Sequence, residues 1–204
     1  MFSTCSESSS NISQKTVECI ATALANICKY QDGLQRTFES DAVDKAKKLL
    51  LHPTAENPVS TGAEQATWSM LGALANDDDA KATCIEGGLV KLAADALERN
   101  VELAEGVIRF LLKISLCEAG KKAFVADGVV RAVSALLKSN IEYVREEAKL
   151  TICGASEYPA TKREFVEAVL ELGPDVVSCE FSGIDAPRTP LNFVMVIIAY
   201  KFSS

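Results

Sequence analysis

From Val17 to Cys28, apolar side chains recur three and four residues apart: Val17, Ile20, Ala21, Leu24, Ile27, Cys28. That spacing puts them on one helical face. It predicts a helix over 13–30, capped by Ser13 or Asn11. Asp32-Gly33 reads as a break, and Leu34–Phe38 as a short helical turn. A further helix carries Ala42, Val43, Ala46, Leu49 and Leu50 inward and Asp44, Lys47 and Lys48 outward, and His52-Pro53 stops it. Pro53–Gly62, with two prolines, a glycine and three hydroxyl residues, reads as an exposed loop. The helical pattern returns over 63–76 with Ala66, Trp68, Leu71 and Leu74. It returns again in a short helix capped by Asp77-Asp78-Asp79, and over 88–99 with Leu89, Val90, Ala93, Ala96 and Leu97 inward.

The pattern repeats. Gly87-Gly88-Leu89-Val90 has an echo forty residues on in Asp127-Gly128-Val129-Val130, and both stretches close on Asn, at 100 and 140. Self-similarity at this period marks a repeat array. Between the first two units the tetrapeptide Ala-Leu-Ala-Asn suggests an offset of 50. Leu24/Leu71, Ile27/Leu74, Phe38/Ile85 and Val43/Val90 agree instead on 47, which aligns core positions across two helices and a loop. A third unit has a short turn at Val101–Ala104 and a helix over 105–117. A fourth follows at an offset near 41, where Lys162-Arg163-Glu164-Phe165-Val166 mirrors Lys121-Lys122-Ala123-Phe124-Val125. After Gly173-Pro174 the repeat fades into a degenerate stretch. Thr189-Pro190 then opens an apolar final segment, read as a buried helix. The domain reading is a flexible polar tail over 1–12 and one repeat domain over 13–204. Its repeats lie near 13–52, 63–100, 101–140 and 141–180, with a capping segment over 189–202.

A unit of about 40 residues, holding two longer helices and a short one, with a glycine-apolar start to the third, resembles the armadillo repeat. The resemblance covers roughly Ser13 to Gly173. It implies an all-α, right-handed superhelical solenoid of about four repeats, whose partners lie in a concave groove lined by the third helices. Such a unit has an apolar face it cannot bury alone, so stacking makes both the core and an extended surface. The nuclear-import adaptors of this family carry Trp on the groove helix and Asn four residues later. Here Trp68 is followed by Gly72, and the corresponding places hold Ala21 and Leu112 or Lys113. The chain therefore does not resemble that subtype.

Composition narrows the function. In 204 residues, 28 acids against 21 bases leave a net charge of −7, which disfavours general nucleic-acid binding. No run of about 18 apolar residues suggests a membrane span. Seven cysteines, at 5, 19, 28, 84, 117, 153 and 179, fall mostly at apolar positions with no C-x-x-C pair. They read as buried free thiols in a reducing, cytoplasmic setting, with the nucleus not excluded.

Candidate chemistry is sparse. The single histidine, His52, suits a helix end better than catalysis. Asp77-Asp78-Asp79 lacks cation-loop spacing and reads as a helix N-terminal cluster. Trp68 sits among apolar helical neighbours and reads as inter-repeat packing. No enzyme activity and no cofactor is expected. The remaining candidate is the outward face of the third helices, where Lys48, Lys91, Asp95, Arg131 and Lys138 are the expected partner-binding residues. The expected function is a scaffold or adaptor for a protein or peptide partner. The alternatives are a regulatory cofactor gripping a folded partner (of the chaperone-cofactor or small-GTPase exchange-factor kind) and a cytoskeletal or axonemal assembly subunit self-associating through the repeat ends.

Overall fold

The computed structural model describes residues 13–51 and 59–173. The readings of a tail over 1–12, of the stop at His52-Pro53, of most of the Pro53–Gly62 loop and of the capping segment over 189–202 lie outside the described residues. Among those described there are eleven α-helices and no strand. They are α1 (Gln14–Ile27), α2 (Gln31–Glu39), α3 (Ala42–Leu51), α4 (Thr61–Leu74), α5 (Asp78–Glu86) and α6 (Leu89–Arg99). There follow α7 (Ala104–Ile114), entered through a 3-10 turn at Val101–Leu103, and α8 (Glu118–Ala126). The last are α9 (Val129–Ala135), extended by a 3-10 turn at Leu136–Lys138, α10 (Glu142–Ala155) and α11 (Pro159–Leu172).

The units superpose in register. Thr61 starts its helix 47 residues after Gln14, as Asp78 does after Gln31 and Leu89 after Ala42. The shift is then 40, from Thr61, Asp78 and Leu89 to Val101, Glu118 and Val129. The long helices of the first three units start at equivalent caps. The Ser13 and Ser60 hydroxyls accept from the backbone N–H groups of Thr16 and Ala63, and Asn100 Oδ1 accepts from Glu102 N at 2.9 Å. These bonds satisfy donors that the helix start leaves without partners. Asp77 Oδ1 likewise accepts from Asp79 N and Ala80 N and caps α5, as the aspartate cluster suggested.

Two details differ from the sequence reading. Asp32-Gly33 does not break the chain but lies inside α2. There Gly33 lets the helix start pass the Ile27 carbonyl, where a Cβ would collide. Thr61 and Gly62 belong to α4 rather than to the preceding loop, because Ser60 is already the cap.

The corner between the second and third helix of a unit needs a left-handed residue. Gly88 (φ 73°) and Gly128 (φ 70°) supply it. The equivalent position in the first unit is Asp41, at φ 58° the one non-glycine residue with positive φ among those described. Aspartate tolerates this region better than most residues. In the fourth unit the equivalent residue is Val169, which cannot make the corner. There α11 runs straight through and ends at Gly173 (φ 96°).

The helices stack in layers. α1, α4, α7 and α10 pack side by side in order, and α3, α6 and α9 form a second row behind them. α2, α5 and α8 close the third side, with α11 against α8 and α9. The core runs continuously between the rows. Trp68 packs on Phe110 with ring centroids 5.5 Å apart, and Phe124 on Phe165 at 6.4 Å. All four are buried, each burial contributing roughly 1.5–3 kcal/mol. Trp68 is thus the packing residue the sequence suggested.

Candidate functional site

The outer face of the α1–α4–α7–α10 row is hollow. Its side chains are short where the helices are closest: Thr22 and Ala25 on α1, Ala66, Ser69, Gly72 and Ala73 on α4. Small residues let the helices approach. A Cβ on Gly72 would stand 3.2 Å from Phe110 N, and one on Gly106 would stand 2.6 Å from the Gln65 carbonyl. The result is a trough of about 690 Å³ crossing all four helices.

Charged side chains rim this trough and divide by sign. Glu18, Glu105 and Glu147 stand toward the helix N-termini. Lys29 and Lys113 stand at the C-terminal ends, with Arg109 one turn before Lys113. Among the described residues no salt bridge joins these acids to these bases. Glu18 pairs instead with Lys15 at 2.8 Å, outside the trough. Arg109 Nε donates to the Tyr143 hydroxyl at 2.7 Å and its guanidinium lies 4.9 Å from the ring centroid. Desolvation pushes the Tyr143 phenol above its usual value, and the Arg109 charge works against that shift. The phenol therefore stays protonated, able to accept from Arg109 and donate onward. Gln65 Nε2 and Glu105 Oε2 meet at 3.4 Å and link α4 to α7 along the rim.

The residues singled out in the sequence lie elsewhere. Lys48 is on α3, Lys91 and Asp95 on α6, Arg131 on α9 and Lys138 in the 3-10 turn after it, all exposed. None of the five lines the trough. The trough is lined by the long helices α1, α4, α7 and α10. Equivalent outward positions on the second row hold Asp44, Lys91 and Arg131, then Lys48, Asp95 and Ala135, so neither line carries one sign. Arg131 lies 3.8 Å from Glu171. The groove residues carried a readable signal: small or polar side chains at 22/69, 25/72 and 26/73, in the same register as the helix caps.

Other chemistry is thin. Among the described residues, no cluster of three His, Cys, Asp or Glu side chains could hold a metal. No described helix is long and apolar enough to cross a membrane. Cys28 and Cys84 are buried free thiols, and burial pushes Cys84 from the ordinary 9.0 up to about 12, which keeps it protonated and unreactive. Cys19 departs from the expected burial and is exposed, while Cys117 uses Sγ to cap α8, accepting from Gly120 N at 3.4 Å. Cys5 and Cys179 lie outside the described residues.

No family model matches the chain, and no curated protein matches it. Solved structures do. A crystallised engineered protein superposes with a TM-score of 0.73 at 18% identity, covering 94% of this chain and 76% of that one. A designed armadillo repeat protein gives 0.71 at 15% identity, covering 93% and 76%. Another designed armadillo repeat protein, in complex with the peptide (KR)4, gives 0.69 at 15%, covering 96% and 79%. The fold is therefore an all-α, right-handed superhelical solenoid of the armadillo type.

Proposed function

We propose that the chain is a binding scaffold that seats an extended peptide segment along the trough of α1, α4, α7 and α10. The observation that carries this is the trough itself: four helices in one register, floored by small side chains and rimmed by charged and amide groups. Helices pack about 8–10 Å apart, and an extended chain advances about 3.3 Å per residue. Each helix then faces two or three ligand residues, and the row suits a segment of about ten. Likeness in fold to a designed protein that holds a peptide supports the same use. A non-catalytic adaptor role, without a cofactor, follows from this reading.

The test is selection of peptides from a displayed decapeptide library, followed by NMR mapping of a selected binder. The expected result is that amides of α1, α4, α7 and α10 shift, and that Ser69→Trp, which fills the trough, abolishes binding. Shifts confined to α3, α6 and α9, with binding lost in Lys91→Glu/Arg131→Glu, would transfer the site to the charged outer row and overturn the groove.

A second reading rests on an apolar hollow of about 330 Å³ at the α1 end, lined by Val17, Ile20, Leu24 and Leu49 among others, with Ile20 50% exposed. It supports self-association through the end of the stack. Sedimentation velocity over a hundredfold range of concentration reads this out: a rising weight-average mass that Ile20→Glu abolishes is the expected result, and a constant monomer removes the reading.

A further inference from the structure

We infer that the trough selects a segment with alternating positive and negative side chains, rather than a uniformly basic or acidic one. The inference rests on the groove reading above and specifies its ligand. Its basis is the division of charge across the trough. Glu18, Glu105 and Glu147 form one rim and Lys29 and Lys113 the other, while Arg109 lies midway, on the level of Thr22 and Ser69, held by Tyr143. Glu105 and Lys113 are eight residues apart on one helix, about 12 Å along its axis. A peptide lying across the four helices runs parallel to both rims. In an extended chain successive side chains point to opposite sides. Odd positions then meet one rim and even positions the other, so bases at one parity and acids at the other satisfy both at once.

A uniformly basic segment would bring half its charges to Lys29 and Lys113, and a uniformly acidic one would bring half to the glutamates. Like-charge juxtaposition of that kind discriminates against wrong partners. The hydroxyl of Ser69, midway between the rims, carries no sign and can serve the ligand backbone.

The experiment is fluorescence anisotropy of the full chain with four labelled decapeptides: alternating Lys/Glu, Lys/Ser, Glu/Ser and the neutral Asn/Ser. The Lys/Glu peptide should bind about tenfold more tightly than either one-signed peptide, and salt should erase the difference. Lys113→Glu should weaken Lys/Glu binding about tenfold and strengthen Lys/Ser binding. Glu105→Lys should do the mirror image, strengthening Glu/Ser. Equal affinity for all four peptides overturns the charge rule while leaving a peptide groove in place. Absence of binding by these four and by every library peptide overturns both. The rims also oppose the helix dipoles, with acids near N-termini and bases near C-termini. If that were their only role, the two reversals would lower the melting temperature and leave the ranking of peptides unchanged, which also overturns the inference.

Discussion

The first and second inter-unit layers are built on the same register but filled differently. Between α4 and α7, Trp68 lies on Phe110 with both rings buried. One unit earlier, the residue equivalent to Trp68 is Ala21 and the one equivalent to Phe110 is Met70. Both line the apolar hollow of about 330 Å³ at the α1 end. The helices nonetheless keep equivalent bounds and equivalent serine caps. Helix placement thus follows from caps, corners and close backbone contacts, while large side chains set how strongly each layer is held. In a stacked array stability is nearly a sum over neighbouring units. The first layer is accordingly the weak one.

Five measurements would break or sharpen that contrast. Trp68→Ala should cost about 3–5 kcal/mol in denaturant unfolding, whereas Ala21→Leu should add about 0.5–2 kcal/mol by filling the hollow. Equal and opposite small effects at the two sites would erase the distinction between the layers. Gly106→Ala comes next. Alanine is ordinarily the better helix former, but here its Cβ would stand 3.0 Å from Trp68 Cβ and closer still to the Gln65 carbonyl. A loss of about 1–3 kcal/mol is expected, and a gain would show that the second layer is not tight.

The corners give a pair with opposite signs. Gly88→Ala should lose about 1–2 kcal/mol and Asp41→Gly should gain up to about 1 kcal/mol, because only the first replaces a residue free of the left-handed cost. Thermal melts of both variants check this. Hydrogen exchange should then show amides of α1 and α3 opening more readily than those of α6 and α7, and uniform protection would contradict a weak first layer. The smallest effect is expected at Ile20. It is half exposed, so Ile20→Ser should change stability by no more than about 0.5 kcal/mol.

Much of the architecture was legible in the chain. Gly88 and Gly128 announced the corner, because no other residue is as free at positive φ, and the 47-residue register followed from aligned core positions. Asp41 was not legible as the same corner, since aspartate there reads as an ordinary helix-start residue. The trough was not legible for a related reason. α6 has a clean apolar face opposite Lys91, Asp95 and Glu98, and such a face gives a strong helical periodicity. α4 instead combines Trp68, Leu71 and Leu74 with Ala66, Ser69, Gly72 and Ala73, and small residues count weakly in any periodicity. A surface made by absence of side-chain bulk leaves little trace in a hydrophobic pattern.

The matched caps have one more consequence. Ser60 and Asn100 are both in extended backbone, both precede a helical turn, and stand one unit apart. Removing residues 61–100 would join Ser60 to Val101, a junction of the kind the chain already makes, and would set Ala21 against Phe110. The length of this protein can therefore change by whole units through a single in-frame deletion or duplication, with no new turn to invent. The fold can thus be engineered in units of forty residues, cut at the cap.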